Sequence, residues 1–175
     1  MSEESVPPPV EPTQPVDSAR FRQAMGRFAS GVSVVTSSHR GHDVALTVDA
    51  LASVSLDPVL LLVCLHAEAR VLEGIEEGAP FGISVLQAHH RGLATWLGEP
   101  GRPLHEQLTR IPHNRGRATG VALIDGASAT FECRTFAVHP AGDHSIVVGE
   151  VVGLQARPTD EPALVHYRGA LGELR

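Results

Sequence analysis

The chain has 175 residues, of which 42% are hydrophobic, enough for one domain with an ordinary buried core. Its 14 basic and 20 acidic residues give a formal net charge of −6, and the basic residues are scattered along the chain. Nucleic-acid phosphates are recognised by clustered positive charge, so nucleic acid is not an expected partner.

No apolar run is long enough to cross a membrane, and the longest, residues 59–65, fits a buried strand, so a soluble protein with no membrane partner is expected. Residues 1–16 are acidic, rich in proline and unlike a signal peptide. They are predicted to form a disordered tail before one domain at residues 17–175. Cys64 and Cys133 lie in apolar runs, which predicts free buried thiols and a cytoplasmic protein.

The first predicted element is a helix that begins at Asp17 or Ser18, either of which can cap it. Gly31 is predicted to end this helix. The valines that follow begin a strand, and the polar residues 37–42 turn the chain back as a hairpin. The helix carries an apolar stripe predicted to pack in the core, formed by Phe21, Met25 and Phe28.

Two further helices are predicted at residues 68–76 and 89–97, and a long surface loop at residues 98–120. Many short strands with few helices indicate a mainly β protein with an antiparallel sheet that closes into a barrel, because closure removes exposed sheet edges. The other strands are predicted from runs rich in Val, Ile, Phe and Thr, at residues 59–65, 81–86, 127–139 and 145–156.

Motifs of several other site classes are missing. The sequence has no glycine-rich Rossmann or P-loop motif for phosphate, no GxSxG hydrolase motif and no pair of Cys-x-x-Cys elements for zinc. The pair His39-x-x-His42 lies at the predicted hairpin tip without a third ligand nearby. This pattern favours a solvated turn over a metal site.

Residues 142–151 place a histidine between an acid and a serine at the start of an apolar strand bounded by glycines. Because side chains alternate across a strand, Asp143 and Ser145 are expected to point away from the face of His144. The three residues therefore cannot form a Ser-His-Asp triad. His144 is a candidate for chemistry, and a structural histidine is the alternative.

Small hydroxyl residues interleave with apolar ones over residues 47–58, a stretch too polar for the core. Its backbone is expected to be available to a ligand. A flavin, for example, needs main-chain partners along its ring edge and donors for its phosphate. The alternative is a plain strand and turn that Asp57-Pro58 ends.

Several segments, taken in order along the chain, resemble the flavin reductase family. One such segment is weak evidence, but the ordered combination is fairly specific. The resemblance implies an antiparallel split β-barrel that binds FMN or FAD at the interface of a homodimer, and an aromatic content of 4% also favours a dimer because it leaves one barrel little bulky core. The matching segments are residues 21–26 and 28–36, Thr47 with 53–58, 81–86, 131–134, 142–151 and 167–169.

The implied activity is that of an NAD(P)H-dependent flavin reductase. NADH or NADPH would supply hydride to FMN or FAD, and the reduced flavin would pass to a partner monooxygenase. Hydride transfer between stacked rings depends on proximity, so it needs few acid–base groups. Two alternatives remain open: a non-catalytic flavin or tetrapyrrole binding module of the same fold, and an oligomer in which the barrel is purely structural.

The resemblance also implies a set of site residues, without a metal. His144 matches a histidine near the nicotinamide, which it could orient or contact electrostatically. Residues 167–169 match a segment that closes over the same region. The implied cofactor-binding residues are Thr47, Val48, Asp49, Ala50, Ser53, Val54, Ser55, Arg70, Phe81, Ser84, Tyr167, Arg168 and Gly169.

The chain departs from the family pattern at several positions. Residues 66–70 read His-Ala-Glu-Ala-Arg, where relatives carry hydroxyls that contact the flavin phosphate. Arg70 is expected to replace those donors, against repulsion from Glu68. Asp49 is acidic where relatives have a neutral residue, and a carboxylate beside the flavin disfavours its anionic reduced form. Ser84 and Leu171 are further departures. All these departures together predict a cofactor other than FMN, or a flavin that is held weakly as a substrate.

Overall fold

The structure is a computed structural model that describes residues 15–103 and 106–175. Within these ranges, the α-helices are Ser18–Met25 (α1), Arg70–Glu76 (α2) and Arg91–Gly98 (α3), and a 3-10 turn at Ala88–His90 leads into α3. The predicted tail at residues 1–16 lies outside the described residues except for its last two. In the described part of the chain, no helix is long and apolar enough to cross a membrane.

The same ranges contain twelve strands, most of them in the runs rich in β-branched residues. In chain order they are β1 (Ser30–Gly31), β2 (Ser33–His39), β3 (His42–Val48), β4 (Leu51–Leu56), β5 (Val59–His66), β6 (Phe81–Val85), β7 (His113–Arg115), β8 (Ala122–Ile124), β9 (Ala129–Ala141), β10 (His144–Ala156), β11 (Ala163–Tyr167) and β12 (Ala170–Leu174).

Seven strands form the main sheet, in the order β3-β2-β6-β9-β10-β5-β4, and every neighbouring pair is antiparallel. Strands β3 and β4 lie at opposite edges of this sheet, yet only residues 49 and 50 separate them in sequence. Such a short connection requires the sheet to curl until its edges approach. The prediction of a mainly β, antiparallel protein with short helices is confirmed.

The core has two parts, one on each face of β2. Val35 packs with Val63 and Phe81 in one cluster, whereas Val34 packs with Leu164 in the other. Helix α2 packs on the first cluster and α3 packs on the second. The buried apolar side chains of each helix belong to the cluster that it covers. Alternate side chains of β2 are therefore buried on both faces.

The predicted hairpin is β2–β3, but its turn is shorter than expected. Only Arg40 and Gly41 lie outside the strands, with φ angles of 49° and 80°. Two consecutive residues in the left-handed region are typical of the turn that suits the twist of a hairpin, and glycine adopts this region readily. The two-residue turn lets the strands extend over most of the polar segment.

Helix α1 begins as predicted and differs at its end. The Asp17 carboxylate accepts hydrogen bonds from the N–H groups of Ala19 and Arg20, and the helix ends at Met25 rather than before residue 31. The predicted packing of its apolar stripe in the core is wrong for the described chain, since α1 has no buried residue. The two phenylalanines of the stripe are its most exposed residues. Phe21 is 60% exposed, and Phe28, which follows the end of α1, is 70% exposed.

The predicted surface loop at residues 98–120 is only partly irregular, because β7 within it pairs with β8. Both cysteines are free, as predicted. Cys133 is buried, and burial together with the charge of Glu132 raises the pKa of its thiol to about 12. Cys64 is only partly buried.

Candidate active site

The connection between β3 and β4 and the edge strand β4 form the base of the candidate site. Asp49 and Ala50 are exposed, as are the middle residues of β4. Among the described strands, β4 pairs only with β5, so its outer edge offers unpaired main-chain N–H and C=O groups. A shift in register between Ser53 and Ser55 makes Val54 a bulge. These exposed main-chain groups fit the requirements of a flavin ring edge.

Two hydroxyl groups of this stretch already have hydrogen-bond partners within the protein. Thr47 Oγ1 donates to the carbonyl oxygen of Ala94 at 2.8 Å, and Ser55 Oγ accepts the N–H of Asp57 at 3.2 Å. Ser53 is exposed on the edge strand. Its hydroxyl is therefore the best placed of the three to reach a ligand from the solvent side.

The end of β11 lies against the same connection. Asp49 Oδ2 is 2.8 Å from His166 Nδ1. This contact joins two residues that are 117 positions apart in the sequence. The turn after β11 consists of Arg168 and Gly169, both with positive φ, and Arg168 N–H donates to the carbonyl oxygen of Gly26 at 2.7 Å. The segment 167–169 is thereby held beside the β3–β4 connection, and the Asp49 carboxylate has a histidine partner rather than standing alone.

His144 is at the start of β10, directly opposite His66 at the end of β5. Its Nδ1 lies 2.7 Å from Asp143 Oδ1, so the expectation that Asp143 points away from it is wrong. Asp143 belongs to the turn before the strand, where alternation across a strand does not apply. The hydrogen bond from His144 holds the pKa of the Asp143 carboxyl below its usual value.

His66 forms the other half of this histidine pair. Its ring and that of His144 meet edge to face, with centroids 5.3 Å apart. The N–H of Glu68 donates to His66 Nδ1 at 3.2 Å, so neutral His66 carries its proton on Nε2. The pair lies near the β3–β4 connection, since the carbonyl oxygen of Ala50 accepts the N–H of Cys64, two residues before His66.

The turn after β5 opens onto a cavity of about 630 Å³. Arg70 lies in its wall, but Arg70 Nη1 is 2.8 Å from both carboxylate oxygens of Glu73. The expected role of Arg70 in replacing the missing hydroxyl donors is weakened, because its charge already has a partner. The cavity is also lined by Ala45, Leu46, His66, Glu68, Gly98, Arg102 and Gln107.

Three of the predicted cofactor-binding residues lie in the core instead of at this surface. Phe81 and Ser84 are fully buried, and Val48 is 8% exposed. Ser84 Oγ accepts the N–H of Ile124 at 3.0 Å, an interaction within the core. Strand β6 is central in the sheet, between β2 and β9, so the structure does not bring Phe81 or Ser84 to the candidate site.

The histidine pair at the hairpin tip differs from the predicted solvated turn. His39 is buried against α2, where its Nε2 is 3.2 Å from Glu73 Oε2 and its Nδ1 is 3.4 Å from Glu77 Oε2. Among the described residues, no group of three or more His, Cys, Asp or Glu side chains is arranged to hold a metal ion.

Sequence reasoning missed three residues of the site region: His66, Arg102 and His166. His66 was visible as a departure from the family pattern at the end of β5. His166 directly precedes the matching segment 167–169. Arg102 had no local signal, because it lies in a segment without periodicity and reaches the cavity only through the folded chain.

Comparison with known proteins decides the family. Residues 25–175 match the family model described as the flavin reductase like domain. The chain belongs to the flavin reductase-like family. The predicted membership of the flavin reductase family is therefore confirmed over nearly all of the described chain.

Two curated relatives illustrate the kinds of protein that this flavin reductase-like chain resembles. It is 38% identical over 156 residues to the FMN reductase (NADH) SmoA of Agrobacterium fabrum, a match that covers 89% of this chain and 86% of that protein. It is 35% identical over 159 residues to the reductase component of a 4-nitrophenol 4-monooxygenase/4-nitrocatechol 2-monooxygenase of Rhodococcus opacus, covering 91% and 82%.

Solved structures give the same result for the fold. BorF, the flavin reductase component of a bacterial two-component tryptophan halogenase, matches with a TM-score of 0.84 and 36% identity, covering 90% of this chain and 98% of that one. The NADH:FAD oxidoreductase SgcE6 of Streptomyces globisporus, solved with NAD and FAD fragments, matches with a TM-score of 0.84 and 28% identity, covering 95% and 98%. This flavin reductase-like chain therefore has the predicted split-barrel fold.

Proposed function

We propose that this chain is an NAD(P)H-dependent flavin reductase that transfers hydride from NADH or NADPH to FMN or FAD. The observation that carries the proposal is the mostly exposed stretch of residues 49–54, which strand β5 connects to the Asp143–His144 pair in the sheet. The relatives include reductases named for FMN and for FAD, with NADH as the reductant. Both flavins are therefore candidate substrates.

The residues of the site have positioning roles in this proposal. When bound, the flavin accepts the hydride that the reduced nicotinamide supplies. The open edge of β4 holds the flavin ring edge through main-chain groups, and Ser53 adds a hydroxyl. Asp143 would fix the ring of His144 through Nδ1, so that Nε2 could contact the nicotinamide. The segment Tyr167–Gly169, attached through the contact between Asp49 and His166, would close over the same region.

The direct test is oxidation of pyridine nucleotide by the purified protein, followed by absorbance. NADH and NADPH are each offered FMN, FAD or no added flavin. Oxidation that depends on flavin is expected, and the rates identify the preferred pair. A protein that binds a flavin but oxidises neither nucleotide in any combination would instead be the non-catalytic binding module.

We further propose that the reduced flavin is passed to a flavin-dependent monooxygenase. Reductase components of two-component systems are among the relatives. In this proposal the partner receives a diffusing flavin, since the connection at Asp49 and Ala50 is exposed in the chain. The cytoplasmic location remains a prediction from the cysteine content and the N-terminal sequence.

A homodimer is part of the same proposal. Three adjacent strands of the main sheet, β4, β5 and β10, carry apolar side chains that remain exposed in one chain. Single exposed apolar residues are ordinary, but a group on neighbouring strands favours a protein interface. A second copy of this chain is the proposed occupant. The exposed fractions are 48% for Val54, 89% for Leu56, 49% for Val59, 37% for Val152 and 62% for Leu154.

Replacing Leu56 by glutamate is expected to disrupt this dimer, because the carboxylate would be buried without a partner in the interface. Light scattering after size exclusion should give twice the chain mass of 18.6 kDa for the original protein and the single mass for the variant. Leu174→Glu is the matched control, since Leu174 is 63% exposed on β12, outside this group. A monomeric original protein would contradict the proposal.

A further inference from the structure

Arg102 lines the cavity that adjoins the candidate site. The lining begins with Ala45 and Leu46 of β3, directly before Thr47, and includes His66 at the end of β5. The cavity has a volume of about 630 Å³, and its lining includes a residue three positions before the β3–β4 connection, Leu46, and one member of the histidine pair, His66. A ligand that lies along residues 49–54 has this cavity within its reach.

The guanidinium group of Arg102 is only partly satisfied. Its Nη1 donates to the carbonyl oxygen of Glu99 at 2.8 Å, and its Nη2 donates to that of Ala45 at 2.9 Å. Its Nε is buried and has no hydrogen-bond partner among the described residues. No carboxylate of the described chain lies within ion-pair distance of it.

Such a half-buried cation is costly without a counter-charge. Burial lowers the pKa of Arg102, and the more distant charge of Glu99 offsets this in part. The two carbonyl contacts hold the guanidinium plane in place while leaving N–H groups that an anion could accept from. The side chain is therefore organised before any ligand binds.

The other charged groups of the cavity do not provide an equivalent site for an anion. Arg70 is paired with Glu73, and Glu68 and Glu99 are acidic. With two arginines and two glutamates in the lining, net charge alone does not attract an anion. Arg102 is distinguished by geometry, because it is the arginine of the cavity that lacks a carboxylate partner in the described residues.

We propose, on the basis of the proposed flavin reductase function, that Arg102 binds the phosphate of the flavin. The turn at residues 66–70 has no hydroxyl donors, so a charge-assisted hydrogen bond from elsewhere is needed to hold that group. Arg102 reaches the same cavity from the segment after α3. The shared chemistry is a phosphate oxygen, from FMN or from the pyrophosphate of FAD.

The test is equilibrium binding in the absence of nicotinamide, followed by flavin fluorescence. FMN, FAD and riboflavin, which has no phosphate, are titrated into the original protein and into Arg102→Met. We expect Kd for the phosphate-bearing flavin to rise about 10- to 100-fold, as expected for loss of a hydrogen bond to a charged group. The Kd of riboflavin is expected to stay the same, and the FMN and FAD arms show which phosphate is bound.

Two further variants separate binding from folding. Arg102→Lys keeps the charge and should recover part of the affinity for FMN or FAD, with the Kd of riboflavin again unchanged. Arg110→Met, which removes an exposed arginine farther along the same segment, should match the original protein. Thermal unfolding of each variant without ligand shows whether the fold is retained.

Several outcomes would overturn the inference. One is that Arg102→Met binds FMN and FAD as tightly as the original protein does. Another is that its affinity for riboflavin falls as much as its affinity for FMN and FAD. A third is that only its affinity for NADH, titrated in the same way, falls. If the original protein reduces flavin and the Arg102 variants bind it normally, only this inference fails. If the original protein neither binds nor reduces any flavin, the proposed function fails as well.

Discussion

His144→Ala is expected to lower kcat/KM for NADH oxidation about 2- to 10-fold, the effect of losing one hydrogen bond between neutral groups. The imidazole is held at Nδ1 by Asp143 at 2.7 Å, so its Nε2 is oriented before the nucleotide arrives. Preorganised contacts of this kind act on the geometry in which the two rings meet. Stopped-flow absorbance at saturating flavin measures the effect.

The control for this prediction is the flavin Kd, measured without nucleotide. A positioning role toward the nicotinamide predicts a much smaller change in that Kd than in kcat/KM. His144→Gln should recover part of the rate, because its amide can reach the same region. Unchanged kinetics in His144→Ala would remove this residue from the mechanism and leave it as a structural histidine.

Asp143→Asn tests the same pair from the other side. Since the pKa of Asp143 lies below its usual value in the folded protein, the ionised form and its hydrogen bond persist at neutral and mildly acidic pH. They are lost only as the pH falls through the lowered pKa. The pH profile of kcat/KM should therefore show no decrease near neutral pH that is due to protonation of Asp143. The amide of the variant keeps an acceptor without charge, so a partial loss of rate is expected.

Phe81→Ala is expected to lower the free energy of unfolding by about 3–5 kcal/mol, the usual cost of removing a buried aromatic ring and leaving a cavity. Phe81 is fully buried in the cluster that includes Val35 and Val63. A Cβ added to Gly149 would clash with Phe81 Cζ, so the ring fills the space that this glycine leaves. Urea unfolding of the protein without flavin measures the change.

Phe81→Leu is the matched variant and should cost less than about 1.5 kcal/mol, because it keeps most of the apolar volume. Gly149→Ala should be destabilising alone and better tolerated together with Phe81→Leu. A small loss of stability in Phe81→Ala, accompanied by a large loss of flavin affinity, would contradict the core assignment. It would support the sequence-based prediction that Phe81 contacts the cofactor.

Local pattern was sufficient for much of the fold. The runs rich in valine and isoleucine became strands near their predicted bounds, and Asp17 caps α1 as its side chain allows. The apolar stripe of α1 was misassigned, because spacing shows that side chains share a helix face and does not show what covers that face. Asp143 was misplaced because the strand begins one residue later than the alternation argument assumed.

Residue types and their order in this chain were enough to predict the mainly β class and the family, since these depend on short patterns and on their order along the chain. The same patterns indicated a region for the candidate site. Folding alone brought Asp49 to His166, His66 to His144 and Arg102 to the cavity. Folding also buried Phe81 and Ser84, because β6 became a central strand. These contacts join distant segments through strand order and register, which are set by the packing of the whole sheet and leave no mark in any one segment.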